Sequence, residues 1–179
     1  RGKDVVIYGC GPIGLMAVGA ARVFGAETIT AIDVFDNKLE AAGKMGADYL
    51  LNSKTEDAAA KVIERTGHGA DVVIDYTGNA FAIKSGFDML RKGGRFVMVG
   101  LPNGETALDL SESVIYKEAT VIGVTGREMY KTWEQCEKVL KDPRFHMEAA
   151  VGGVFALSDY EKAFQKIFEG VPGKMILIP

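Results

Sequence analysis

Cysteine and histidine are scarce in this sequence of 179 residues, two of each, and the scarcity closes off several architectures. Cys10 and Cys136 stand far apart, and neither belongs to a C-x-x-C pair. A disulfide scaffold or a zinc ribbon is therefore disfavoured, and a reducing, cytoplasmic setting is expected. His68 stands in a Gly-His-Gly turn and His146 follows Pro143, each without a second histidine or a cysteine beside it. Both read as solvated loop residues, and no metal site is nominated. Blocks of basic residues are missing as well. With 21 Lys and Arg against 24 Asp and Glu, a formal charge of −3, the chain lacks the electrostatic footprint of a nucleic-acid partner. No apolar run approaches the ~18 residues of a membrane span, so no membrane partner is expected. An initiator Met is absent too: the chain opens Arg1-Gly2-Lys3 into a strand-like run with no signal-peptide pattern. It is expected to be a piece of a longer chain, the other reading being a removed Met or short tag.

What the sequence does have is apolar substance, 47% of its residues. A chain of this length buries about 70% of its unfolded surface, enough for one compact domain without disulfides or a structural metal. Short β-branched runs alternate with segments of helical spacing. Asp4–Tyr8 reads as a strand. Pro12–Phe24 follows as a helix with Ile13, Met16, Ala17, Ala20, Ala21 and Phe24 on its inner face, stopping at Gly25. Thr28–Asp33 is the second strand, and a helix capped by Asn37 with Glu40 runs to Gly46. A third strand lies around Tyr49–Leu51, a helix over Glu56–Thr66 is closed by Gly67, and Asp71–Asp75 is the fourth strand. A helix over Ala80–Leu90, a turn at Lys92-Gly93-Gly94 and strands at Arg95–Val99 and Thr120–Val124 complete the series.

Apolar strands separated by amphipathic helices predict an α/β fold, a doubly wound parallel sheet covered on both faces. The rhythm then changes. Glu128–Lys141 reads as one long helix with Met129, Trp133, Cys136, Val139 and Leu140 inward. A last helix starts with a Ser158/Glu161 capping box and carries Tyr160, Ala163, Phe164, Ile167 and Phe168 as its apolar stripe; Lys174–Ile178 closes as a strand. The expected organisation is one nucleotide-binding domain over residues 1–179, with roughly 1–128 as the core sheet and 129–179 as a C-terminal helical and strand extension.

Gly9-Cys10-Gly11-Pro12-Ile13-Gly14 matches G-x-G-x-x-G at a strand-to-helix junction. Gly9 permits the tight turn, Gly11 lets the backbone approach a pyrophosphate, and Gly14 lets helix and strand pack closely. The helix N-terminus offers free N–H groups and partial positive charge, and Pro12 gives up an N–H that has no intrahelical partner. Asp33 ends the second strand 19 residues after Gly14, where a carboxylate receives the adenosine ribose hydroxyls and repels a 2′-phosphate. The cofactor expected is NAD rather than NADP. Lys38 reads either as a ribose contact or as a solvated lysine at the start of a helix. By position at the carboxyl ends of strands, Thr77 with Gly78, Val99 with Gly100 and Leu101, and Val124 with Thr125 are nominated beside the nicotinamide. No catalytic residue is nominated. Neither histidine is a good base, Tyr130-Lys131 is not a Tyr-x-x-x-Lys pair, Cys10 reads as a small residue filling the glycine loop, and Cys136 as helix core.

These residues, together with M-G-A-D before the third strand, D-V-V-I-D-Y-T-G, G-G-R-F-V-M-V-G-L-P and a final F-x-x-G-x-x-G-K-M-I-L, resemble the cofactor-binding half of the zinc-dependent medium-chain alcohol dehydrogenases. The segment Gly126–Trp133 is similar to the G-R-x-M-F/Y-x-T-W of the family's threonine 3-dehydrogenase branch. The resemblance implies a Rossmann fold with NAD contacts at Ile13, Asp33, Lys38, Val99, Gly100, Leu101, Val124 and Thr125. The family usually has Arg where this chain has Lys38, which keeps the charge but loses the fork. Val151–Phe155 departs from the Thr-His-Arg-Phe type of sequence found in threonine dehydrogenases. The resemblance also implies that zinc, its Cys, His and Glu ligands and the proton relay come from an N-terminal domain not contained in these residues. The expected parent oxidises a small-molecule alcohol, L-threonine, with NAD, while these residues alone bind NAD and catalyse nothing. Another polyol or alcohol dehydrogenase and a non-catalytic NAD(H)-binding regulatory module are the alternatives, with a methyltransferase third. A homodimer or tetramer is expected through Thr120–Val124 as an edge strand.

Overall fold

Six strands, Asp4–Tyr8 (β1), Thr28–Asp33 (β2), Tyr49–Asn52 (β3), Ala70–Asp75 (β4), Leu90–Met98 (β5) and Thr120–Gly123 (β6), pair in parallel in the order β3-β2-β1-β4-β5-β6. The structure is a computed structural model describing residues 3–179; the expectation about the Arg1-Gly2 start lies outside the described residues. Helices α1 (Pro12–Val23), α2 (Asp36–Met45), α3 (Ala58–Thr66) and α4 (Ala80–Met89) connect the first five strands. The central strands carry apolar runs because both faces are covered there, whereas the edge strands β3 and β6 are largely exposed. On β1, Val5 and Ile7 enter the core beneath α1 and α2, whereas Val6 and Tyr8 enter the core beneath α3 and α4, the two-residue alternation of a pleated strand. In the second core Phe87 and Phe96 stack with ring centroids 4.2 Å apart, worth about 0.5–1.5 kcal/mol beyond burial.

Local chemistry sets the helix ends. α2 and α3 stop at Gly46 (φ +113°) and Gly67 (φ +76°). The Asp57 carboxylate accepts the Ala60 N–H, so α3 begins two residues later than expected, and Asn79 Oδ1 caps α4 through the Phe81 and Ala82 N–H groups. Asn37 caps nothing: it lies inside α2, and its Nδ2 donates to the Gly170 carbonyl at 3.0 Å. The face expected for α1 is also corrected. Ile13 and Phe24 are exposed, and the buried line is Gly14, Leu15, Val18 and Gly19. α1 is apolar nearly all round, so periodicity did not choose a face. Close approach did, since a Cβ on Gly19 would lie 2.7 Å from Met45 Sδ and from the Phe145 ring. Lys92-Gly93-Gly94 forms a bulge within β5 rather than a turn before it. Pairing passes from Ala70 with Leu90 to Val72 with Arg95, and the Gly93 N–H donates to Lys117 O at 2.6 Å.

Beyond β6 the chain makes α5 (Lys131–Leu140), β7 (Val151–Ala156), α6 (Tyr160–Phe168) and β8 (Lys174–Ile178), with β7 and β8 in a separate parallel pair. β7 carries no clear strand pattern in the sequence, because Gly152-Gly153 interrupts it. Tyr130 has φ +67°, which starts α5 at Lys131 rather than Glu128. Val139 is its one buried residue, joining Phe145 and Ala150 in the α1 core, while Met129, Trp133, Cys136 and Leu140 are exposed. Cys136 is thus not a core residue. The capping box at Ser158 is not formed either, since Leu157–Asp159 is a 3-10 turn. Of the α6 stripe Ala163 is buried, but Tyr160, Phe164, Ile167 and Phe168 are exposed; a two-stranded sheet is too narrow to cover the rest. Among the described residues no helix is long and apolar enough to cross a membrane.

Candidate functional site

The strand order reverses between β1 and β4, and in open α/β sheets ligands lie outside the carboxyl ends of strands at such a switch point. A cleft of about 560 Å³ opens there. Its floor is the turn after β1. Gly9 takes φ +96°, and its N–H donates to the Ile32 carbonyl at 2.8 Å. A Cβ on Gly14 would stand 1.8 Å from the Gly9 carbonyl oxygen, so only glycine lets α1 start this close to the turn. A Cβ on Gly11, by contrast, would meet nothing within 4 Å, and this open side faces the cleft. No side chain caps α1, which leaves the first-turn N–H groups beyond Pro12 available to an anion.

Asp33 joins this turn to the end of β2. Its Oδ2 accepts the Cys10 N–H at 2.7 Å, and its Oδ1 accepts the N–H groups of Val34 at 2.8 Å and Phe35 at 3.1 Å. Three backbone donors fix the carboxylate before any ligand arrives. Cys10 is buried beneath the turn, as expected of a small filler, and burial first, then the Asp33 charge, pushes its thiol pKa up to about 12 against the opposing pull of Lys38. Lys38 lies on the cleft wall with Nζ 4.6 Å from the centre of the Phe35 ring, a cation–π contact that holds the ammonium at this end. Thr77 at the end of β4 and Val99, Gly100 and Leu101 after β5 close the other end.

Of the residues nominated from sequence, the cleft gathers all but Gly78, Val124 and Thr125. Gly78 packs beneath Leu101 and lines a neighbouring polar hollow of about 300 Å³ with Asn103 and Glu105. Val124 continues from β6, its N–H donating to Met98 O at 2.9 Å, and with Thr125 it lies outside the lining. Three lining residues were missed: Val34, Phe35 and Tyr76. Phe35 had a signal, an aromatic one helical turn before Lys38, but Tyr76 had none beyond its place between Asp75 and Thr77. Burial raises the Tyr76 phenol pKa above its ordinary value.

The lining contains no Cys, His or Glu, and Asp33 is its one acid, so a catalytic zinc has no ligand set there. Among the described residues, Asp4, His68 and Asp71 bring ligand atoms within 4.8 Å of one another, but at the amino ends of β1 and β4, remote from the cleft. Those carboxylates are already engaged. Asp71 accepts from Lys3, Arg91 and the Asp4 N–H, and Asp4 from Thr28 and Arg65. The trio does not fit a catalytic metal.

Comparison with known proteins agrees with this geometry. An L-threonine 3-dehydrogenase of Caldanaerobacter subterraneus is 38% identical over 99% of this chain and 52% of its own length. One from Bacillus velezensis is 40% identical over 99% of this chain and 52% of its own. The chain spans about half the length of the curated relatives it matches. Among solved structures, 2R,3R-butanediol dehydrogenase from Bacillus subtilis has a TM-score of 0.90 at 28% identity, covering 100% of this chain and 51% of that one. The pattern of the family described as zinc-binding dehydrogenase matches residues 12–142, from the phosphate turn through α5, and to that family this chain belongs.

Proposed function

We propose that the chain binds NAD and serves as the cofactor half of a zinc-dependent oxidoreductase that oxidises the secondary alcohol of L-threonine. The observation that carries the NAD reading is the preset Asp33 carboxylate beside the open Gly11 turn. Asp33 receives the adenosine ribose hydroxyls and repels a 2′-phosphate, Lys38 stands at the same end, and the start of α1 holds the pyrophosphate through N–H groups and helix dipole. Thr77, Val99, Gly100 and Leu101 flank the nicotinamide, with Val124 and Thr125 reaching it from β6. When bound, NAD supplies the hydride acceptor. A lining without histidine, cysteine or glutamate supports placing zinc and the proton relay in the rest of the parent. Residues 1–128 act as the cofactor core and 129–179 as the extension. The two free thiols support a cytoplasmic setting.

Threonine as substrate is supported by the relatives' names and by the Gly126–Trp133 segment. The likeness to a butanediol dehydrogenase favours, as a second reading, another secondary alcohol; family membership weighs against a regulatory module. Association into a homodimer or tetramer is supported by β6 at the sheet edge with Val121 and Ile122 exposed. Calorimetry on the chain tests the cofactor: NAD binds, NADP binds more weakly, and S-adenosylmethionine does not. S-adenosylmethionine binding without NAD binding overturns the reading. Threonine oxidation by the chain alone, sensitive to chelators, overturns the division of labour, and a monomeric mass in light scattering at micromolar concentration overturns the assembly.

A further inference from the structure

We propose that Asp75 is the positioning residue that sets the nicotinamide end of the cleft, an inference that rests on the NAD reading above. Asp75 ends β4, is fully buried, and does not line the cleft. Among the described residues no cation pairs with it. A buried carboxylate without a counter-ion is costly to a fold unless its lone pairs are filled, and here they are filled by the loop that follows. Oδ1 accepts the Thr77 N–H at 3.0 Å and the Thr77 hydroxyl at 2.6 Å, and Oδ2 accepts the Gly78 N–H at 3.0 Å. The main-chain carbonyl of the same residue accepts the N–H groups of Val99 and Gly100, each at 2.9 Å. One residue therefore holds both loops that close this end.

The two loops are set within contact distance. A Cβ on Gly100 would lie 2.2 Å from the Gly78 nitrogen, and one on Gly78 would lie 2.4 Å from the Leu101 carbonyl oxygen. Thr77 carries the restraint to the phosphate turn. With its hydroxyl held on Asp75 and accepting the Asn79 N–H at 2.9 Å, its methyl faces Gly9, where an added Cβ would come within 2.7 Å of it. Asp75 thus fixes the spacing between the phosphate turn and the Val99–Leu101 loop. The adenosine end is held by a separate set of bonds through Asp33.

That separation makes the role measurable. Asp75→Asn replaces one carboxylate oxygen with an N–H donor that faces the Gly78 or the Thr77 donors. Dissociation constants of NADH and of ADP-ribose, which lacks the nicotinamide ring, are compared by calorimetry below the melting temperature. NADH is expected to weaken about tenfold and ADP-ribose by less than about twofold. Thr77→Val, which removes one donor and keeps the side-chain shape, moves the ratio in the same direction by a smaller factor, and it carries the test if Asp75→Asn fails to fold. A purely structural role weakens both ligands alike. Equal weakening of the two ligands, or an unchanged ratio, overturns the inference. Failure of the unsubstituted chain to bind either ligand overturns the NAD reading itself.

Discussion

Two glycines of the phosphate turn separate the fold from the ligand, and substituting each by alanine tests both. At Gly14 the added methyl would stand 1.8 Å from the Gly9 carbonyl oxygen, against the roughly 3.3 Å of an ordinary close C···O contact. Both atoms belong to backbone, so no side chain can swing aside; α1 must retreat by about 1.5 Å and loosen Leu15, Val18 and Gly19 from the sheet and α2. Overpacking of this kind costs about 3 kcal/mol, and alanine's better helix propensity returns up to about 1 kcal/mol. A net loss of about 2 kcal/mol lowers the melting temperature by about 4–8 °C in a chain of this size. At Gly11 the methyl meets nothing within 4 Å, and φ −65° suits any residue. There the cost is at most about 1 kcal/mol, the difference between glycine and alanine at an N-cap. The methyl occupies the open side where the pyrophosphate approaches, so NADH binding by Gly11→Ala weakens by about tenfold or more. Thermal melts and calorimetry on the two variants decide the matter. A Gly11→Ala chain that binds NADH like the unsubstituted one, or a Gly14→Ala chain that melts within about 1 °C of it, refutes the assignment of roles.

Three further outcomes are expected. Asp33→Asn removes the charge that repels a 2′-phosphate and sets a donor against one of the N–H groups of Cys10, Val34 and Phe35. The preference for NAD over NADP in calorimetry falls by about tenfold, and an unchanged preference sinks that role. A thiol reagent at about pH 8 labels one cysteine, the exposed Cys136, in the native chain and two after denaturation, because burial holds Cys10 as an unreactive thiol with its pKa pushed up to about 12. For Asp71, burial raises the carboxyl pKa, but hydrogen bonds from the Asp4 N–H, Arg91 and Lys3 outweigh it and hold the group below its ordinary 3.8. The folded value being the lower one, the stabilisation is complete above about pH 5 and is lost as pH falls through that value. The stability gap between the unsubstituted chain and Asp71→Asn in urea titrations should be flat near neutrality and shrink below about pH 4.

The alternation of strands and helices was legible because each element carries its own signal. The apolar runs of β1, β2 and β4 announce a sheet buried on both faces, and glycines at 46 and 67 end helices where left-handed backbone is needed. Faces were harder to read. α1 is apolar nearly all round and α5 and α6 each present an apolar stripe, but such a surface suits burial without fixing what covers it. For α1 the choice fell to Gly19, through contacts with Met45 and Phe145 that lie 26 and 126 residues away. For α6 the narrow β7–β8 pair buries little beyond Ala163.

The cleft divides in the same way. Gly9, Gly11, Gly14 and Asp33 could be named from the sequence because their geometric reasons act within one β-α-β unit. Tyr76 and Asp75 could not, since their roles depend on β4 lying next to β1 and on the β5 loop folding back over the end of β4. Val124 and Thr125 follow β6 and lie outside the cleft lining. The strand-end rule that nominated them treats every carboxyl end alike, but the cleft is centred on the reversal between β1 and β4, and β6 stands two strands further out. Asp75 ends β4, the strand that forms the switch with β1, and without lining the cleft it bonds to both loops that close one end of it.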